Sequence, residues 1–341
     1  MSTDIPATSM PSGFRIGRFS FGRPALLAPM SGITDLPFRR IAARFGAPYV
    51  VSEMVASESL VIGNEEMALR TAGEGMSPHV VQLAGREPRW MAEAARLAEG
   101  AGADIIDINM GCPSKRVTTG YSGAALMRDL ELATAMIEAT VAATALPVTL
   151  KMRLGWDRGS INAPELARRA QAAGVAMITV HGRTRDQFYD GTADWGAIRP
   201  VVEAVSLPVI ANGDCLSAGD AVVMMAASGA AGVMVGRGAQ GKPWLPAVIT
   251  AQLEGRPRIE PPQGEAFADV VAAHYDGILA HYGVKLGIRC ARKHLGWYLD
   301  TLTEAGHDVE TFRRSVLTCD NPATVVVLMR EAAGADMMRA A

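Results

Sequence analysis

The chain has 341 residues, 49% of them hydrophobic and 20% charged, which provides for one large domain plus a smaller one around packed cores. A formal net charge of −2 argues against a generic nucleic-acid coat and leaves room for a local basic patch. No apolar run reaches the ~20 residues that cross a bilayer, and Cys112, Cys215, Cys290 and Cys319 form no C-x-x-C pair, so no membrane span, metal centre or structural disulfide is expected.

Residues 1–13 are polar and lack the basic and apolar regions of a secretory signal; they read as a flexible leader to a cytoplasmic protein. The spacing then predicts eight short apolar strands: 24–30 (PALLAPM), 48–54 (PYVVSEM), 79–84 (HVVQLA), 104–110 (DIIDINM), 147–153 (PVTLKMR), 176–181 (AMITVH), 207–211 (LPVIA) and 232–235 (GVMV). Ala-rich helical segments such as 87–100 and 129–144 fill the gaps. Strands apolar throughout and alternating with helices imply a parallel sheet covered on both faces. Eight such units over residues 14–254 match an α/β fold of the (β/α)8 TIM-barrel kind. An open doubly wound sheet is disfavoured, because no G-x-G-x-x-G follows the first strand. Residues 255–263 (GRPRIEPPQ) read as a linker, and residues 264–341, with helical periodicity and no strand, as a small all-helical domain.

The predicted strands end on polar or glycine-rich residues: Pro29-Met30-Ser31, Ser52-Glu53, Gln82, Asn109, Lys151-Met152-Arg153, His181-Gly182-Arg183, Asn212-Gly213-Asp214 and Gly236-Arg237-Gly238. In a barrel all these ends face one mouth, where active sites of the fold are built. The glycines and Arg237 in the last two ends suit a phosphate-bearing cofactor, since barrels commonly hold phosphate between these loops. Lys151 lies inside a strand facing the barrel centre and needs an anionic or electron-rich partner; a flavin edge that gains charge on reduction is one. Gln82 can donate and accept, which suits the flavin pyrimidine edge, and His181 is either a phosphate or ring contact or a satisfied core histidine.

Cys112 stands just past the fourth strand, with Gly111 and Pro113 shaping its loop and Lys115 close enough in sequence to raise its acidity or meet a substrate phosphate. A cysteine at a barrel mouth can act as a general acid. No partnered Cys-His-Asn/Asp arrangement is evident for a nucleophile. Lys285, Arg289, Arg292 and Lys293 share one face of a helix, either as phosphate contacts or as a solvated stripe. Arg183 and Arg185, on the loop after the sixth strand, are nearer the mouth and better placed to meet RNA.

Together these residues resemble the tRNA-dihydrouridine synthase family, closest to its bacterial B-type branch. The resemblance is carried by residues 27–35 (LAPMSGITD), 109–115 (NMGCPSK), 150–154 (LKMRL), 181–184 (HGRT), 212–214 (NGD), 236–245 (GRGAQGKPWL) and 287–299 (GIRCARKHLGWYL). It implies an FMN held by Pro29, Met30, Ser31, Gln82, Lys151, His181, Asn212, Gly213, Asp214, Gly236 and Arg237. Ser31 stands where the family usually has alanine, and the backbone contact there is expected to survive. The resemblance further implies Cys112 as the acid that protonates C5 of a tRNA uracil, hydride from reduced FMN to C6, and NADPH or NADH as reductant. Asn109 is expected near the uracil and Arg153 near cofactor or substrate; the tRNA partner is met by a monomer that needs no metal and no membrane. Two other readings compete: an FMN barrel reductase of a free small molecule, like dihydroorotate dehydrogenases, and a catalytically silent RNA-binding or regulatory protein.

Overall fold

The computed structural model describes residues 13–334, so the leader expected over residues 1–13 lies, apart from Gly13, outside the described residues, as do residues 335–341. The first elements form a short antiparallel hairpin, β1 (Phe14–Ile16) and β2 (Phe19–Phe21), turned at Gly17 with φ +55°. The strands that follow are β3 (Ala25–Leu27), β4 (Val50–Val51), β5 (Val55–Ala56), β6 (His79–Ala84), β7 (Ile105–Met110), β8 (Val148–Arg153), β9 (Met177–His181), β10 (Val209–Asn212) and β11 (Gly232–Val235). All pair in parallel in the order β4–β3–β11–β10–β9–β8–β7–β6, and β6 returns to β4. That last pairing closes the ring into a TIM barrel and excludes the open sheet.

Burial explains the strands. Every residue of β6, β7, β9, β10 and β11 is buried, because helices cover the outside and side chains fill the lumen. The hairpin plugs the bottom: Ile16 and Phe21 pack beside Leu26, Tyr49, Val80 and Ile105 inside the barrel. The run expected over residues 48–54 is interrupted. Val50 and Val51 oppose His79 and Val80, whereas Val55 and Ala56 oppose Leu83 and Ala84, so Ser52, Glu53 and Met54 face only Val81 and Gln82. This is a β-bulge, and Ser52 repairs the ladder there by accepting from the Gln82 N–H at 3.0 Å through its hydroxyl.

Beyond residues 254–263 come four helices, Gly264–Tyr282, Val284–Glu304, Glu310–Thr318 and Pro322–Ala332. They share an apolar core that includes Phe267, Tyr275, Leu295, Tyr298 and Met329, into which Trp244 from the loop after β11 and Phe45 also pack. The first of these helices lies against the barrel helix Leu36–Arg44, where Gly277 leaves room for Pro37. Phe38 meets His274 edge-on at 5.5 Å and His294 at a tilt at 5.7 Å between ring centroids. Among the described residues no helix is long and apolar enough to cross a membrane.

Candidate active site at the barrel mouth

Cys112 begins the loop after β7, and three contacts shape that loop. Asn109 Oδ1 accepts from the Gly111 and Cys112 N–H groups at 3.1 and 3.0 Å. Arg153 Nε donates to the Gly111 carbonyl at 2.8 Å. Gly123, at φ +61°, packs so close to the Cys112 carbonyl that a side chain there has no space. Burial pushes the thiol above its ordinary range, partly offset by the Ser114 N–H and by the charges of Arg153 and Lys151. The thiol is therefore protonated at neutral pH, as an acid requires. Lys115, expected to tune this thiol, is exposed at the start of the helix Lys115–Thr118; the cations acting on Cys112 are Arg153 and Lys151.

Lys151 lies opposite Asn109 in the β7–β8 register. Its Nζ donates to Asn212 Oδ1 at 3.0 Å, and Asn212 Nδ2 is in turn fixed by the Met234 carbonyl at 2.8 Å. Burial, reinforced by Arg153, brings Lys151 down to about 8, against the pull of Asp107. One hydrogen bond to a neutral amide leaves this ammonium with spare donors at the mouth.

The ends of β9, β10 and β11 form a second cluster. Asp214, at φ +54°, accepts from both guanidinium arms of Arg183 at 3.0 and 2.6 Å, from Arg237 Nη2 at 2.9 Å and from the Ala193 N–H at 2.8 Å. Burial works upward on Asp214, but these donors hold it below the usual carboxylate range. Arg183 also donates to the Asp190 and Gly191 carbonyls and to His181 Nε2. With 1% of its side chain exposed and every N–H engaged, Arg183 is a strut, which corrects the expectation that it faces RNA. Its donation makes His181 Nε2 an acceptor, so the imidazole proton resides on Nδ1; burial and the surrounding cations, Arg153 first, keep the ring neutral. Because its carboxylate is engaged by two arginines, Asp214 can meet an anionic group only through its backbone.

A Cβ added at Gly236 would make only ordinary contacts, with Ala28 and Met30 at 3.8 Å. Met30 therefore lies on the same side as Gly236, with Pro29 and Ser31 its neighbours in the chain, and Arg237, half exposed, follows Gly236. Gln82 and Asn109 lie on the Cys112 side, bonded to each other at 2.7 Å. Arg153 holds the Thr184 and Phe188 carbonyls, each at 2.9 Å, besides Gly111. Arg185 donates to Thr118 Oγ1 at 3.2 Å and lies over the Trp156 and Phe188 rings. On the helix Val284–Glu304, Lys285 and Arg289 are exposed, Arg292 pairs with Asp320 at 2.8 Å, and Lys293 Nζ comes within 3.2 Å of where a Cβ on Gly32 would stand.

Sequence reasoning passed over Asp107, Thr149 and Tyr189. Asp107 is 3% exposed and accepts from Gln82 Nε2 and Thr149 Oγ1, each at 2.6 Å. A carboxylate inside an otherwise apolar strand (IIDINM) was the signal that could have found it. Tyr189 stands beside Arg153 and Arg237, at 5.6 and 5.2 Å from its ring centroid. Among the described residues no group of three or more His, Cys, Asp or Glu could hold a metal ion.

Fold and site together define a TIM-barrel enzyme whose C-terminal mouth sets a protonated thiol beside a buried lysine and an arginine-flanked glycine loop. The chain belongs to the dihydrouridine synthase family, whose family model matches residues 26–333. It is 53% identical over 307 residues to a probable tRNA-dihydrouridine synthase of Rhizobium leguminosarum bv. phaseoli, covering 90% of this chain and 94% of that one. A probable tRNA-dihydrouridine synthase of Rhodobacter capsulatus is 54% identical over 311 residues, 91% of this chain and 94% of the relative. The tRNA-dihydrouridine synthase B of Xanthomonas axonopodis pv. citri is 42% identical over 319 residues, 93% and 95% of the two chains. Among solved structures, the 6-hydroxypseudooxynicotine amine oxidase of Pseudomonas geniculata N1 shares the fold, with a TM-score of 0.54 at 16% identity over 71% of this chain and 49% of that one.

Proposed function

We propose that this chain reduces a uridine in the D-loop of tRNA to 5,6-dihydrouridine, with FMN as cofactor, NADPH as reductant and Cys112 as proton donor. Family membership and the relatives' names support the tRNA substrate. The observation that carries the chemistry is the protonated thiol of Cys112 on a loop braced by Asn109 and Arg153, beside Lys151.

The residues fit FMN. Lys151 has spare donors for the electron-rich edge of the ring, Gln82 an amide for the pyrimidine edge, and the side-chain-free backbone of Gly236 beside the half-exposed Arg237 suits the phosphate. When bound and reduced by NADPH, FMN would supply hydride to C6 of the uracil. Hydride at C6 leaves an enolate conjugated to C4=O, and the thiol proton of Cys112 goes to C5. The resulting thiolate is stabilised by the Ser114 N–H, Arg153 and Lys151. The target base must leave the tRNA stack to reach this mouth. Lys285, Arg289 and Lys293, which make no ion pair among the described residues, can take phosphates around it, whereas Arg292 must first exchange Asp320.

Cys112→Ala tests the reading. The purified variant should keep its flavin and its tRNA affinity and lose on the order of 10²-fold or more in single-turnover reduction. Mass spectrometry of tRNA from cells lacking the protein should show a D-loop dihydrouridine missing. Wild-type turnover by the variant removes Cys112 from the mechanism, and equal activity on free uridine removes tRNA as the required substrate.

A further inference from the structure

We propose that Asp107 is a positioning residue for this site: its carboxylate sets the direction of a hydrogen-bond relay through Gln82 and Asn109 that holds the Cys112 loop. The inference rests on the reading above for the cofactor and the acid, not for the relay itself.

The direction of the relay can be read from the loop end. The Gly111 and Cys112 N–H groups donate to Asn109 Oδ1 at 3.1 and 3.0 Å. A backbone amide cannot reverse its role, so Asn109 Nδ2 must face Gln82, and it reaches Oε1 at 2.7 Å. Gln82 must then present Nε2 to Asp107, which it does at 2.6 Å. The second carboxylate oxygen accepts from Thr149 Oγ1 at 2.6 Å, and that hydroxyl lies 3.4 Å from Tyr49 OH deeper in the lumen. Every donor points toward the carboxylate. Neighbouring positions on β6, β7 and β8 bring the three side chains together: Gln82 opposes Asp107, and Asp107 opposes Thr149.

An ionised carboxylate only accepts, so it admits one orientation of Gln82 and hence of Asn109. A neutral amide in its place accepts and donates equally well. Gln82 could then turn over, and the turn would set its Nε2 against Asn109 Nδ2 or flip Asn109 away from the loop. The charge also lies near Lys151, which the Asp107 carboxylate draws toward its protonated form. A fixed negative charge near the site would disfavour the reduced, more electron-rich ring of a bound flavin.

Asp107→Asn is therefore expected to weaken FMN binding and slow single-turnover tRNA reduction, each by roughly 10–100-fold, with tRNA affinity unchanged. The midpoint potential of bound FMN should move upward. Combining it with Asn109→Asp reverses the relay: the new carboxylate at position 109 accepts from both loop amides and from Gln82 Nε2, and the new amide at position 107 donates to Gln82 Oε1. The loss of FMN affinity in the double variant should be smaller than the sum of the two single losses, since the two sites couple through Gln82. Additive losses, or an Asp107→Asn protein with wild-type affinity, potential and rate, overturn the proposal. Should Asp107→Asn not fold, Thr149→Val strips one donor from the carboxylate and should lower FMN affinity the same way; an unchanged affinity overturns the proposal equally. If the wild-type chain binds no FMN, the functional reading fails, and hydrogen exchange still tests the relay. The Gly111 and Cys112 amides should then exchange faster in the variant, and unchanged protection refutes it.

Discussion

Gly213 occupies φ +120°, a backbone region open to glycine and strained for other residues, and a Cβ there would stand 2.6 Å from the Ala193 Cβ and 2.9 Å from His181 Cδ2. Its carbonyl is also held, by Trp195 Nε1 at 2.7 Å. The glycine lets β10 end with the loop folded onto His181, which brings Asp214 within reach of Arg183. Gly213→Ala should therefore cost more than about 1 kcal/mol in denaturant unfolding, from backbone strain and displacement of His181 together. It should also weaken FMN binding, read by fluorescence titration. Gly236 is the contrast: a Cβ there would make only ordinary contacts, 3.8 Å from Ala28 and from Met30, so alanine meets no clash and should act chiefly on cofactor affinity. The two glycines look alike in sequence, and only the contacts around them separate a steric role from a binding one.

Between β4 and β5 the bulge turns Glu53 inward, where it is 4% exposed and accepts from the Gly32 N–H at 2.5 Å. Ser52 makes this possible by taking the Gln82 N–H that a regular ladder would satisfy, and its own hydroxyl donates to the Glu53 carbonyl at 2.8 Å. Ser52→Ala strands a fully buried N–H and should cost about 1–3 kcal/mol in stability, measured by chemical denaturation. A loss under about 0.5 kcal/mol would mean that water or a shifted register replaces the hydroxyl. The eight barrel strands were legible in sequence because buried parallel strands must be apolar, and their polar ends were legible because that rule breaks there. The bulge was not, since a serine before a glutamate carries no periodic signal. The β1–β2 hairpin was missed because its strands are three residues each, too short to establish a period. The engagement of Arg183 by Asp214 was hidden too: the partners stand 31 residues apart and meet only when the barrel closes. Both had been read as independent site residues, and pairing removed one of them from the surface.

The barrel and the C-terminal helices are joined by a seam that contains charge. Asp35 caps the helix Leu36–Arg44 by accepting from the Phe38 N–H at 3.0 Å and is 4% exposed. Burial pushes its carboxyl up to about 6; Glu53 adds to the rise, while the Phe38 N–H, Tyr282 and Lys293 oppose it. Arg39 faces the same cluster from the next turn of the helix. A carboxyl whose folded pKa exceeds its unfolded value of 3.8 adds stability that is complete below pH 3.8 and is lost as pH rises through about 6. Ionised Asp35 is thus a strain at neutral pH, carried where Tyr282 and Lys293 of the helical region meet the barrel. Asp35→Asn keeps the capping oxygen and removes that strain. The variant should match the wild type near pH 4 and be more stable at pH 8, by up to about 3 kcal/mol for a displacement of about two pK units. Thermal melts of both proteins at pH 4, 6 and 8 check this. The difference between them should open between pH 4 and 6 and then stay constant. A constant difference across the whole range would mean that Asp35 is ionised throughout, with Lys293 and Arg39 offsetting its burial.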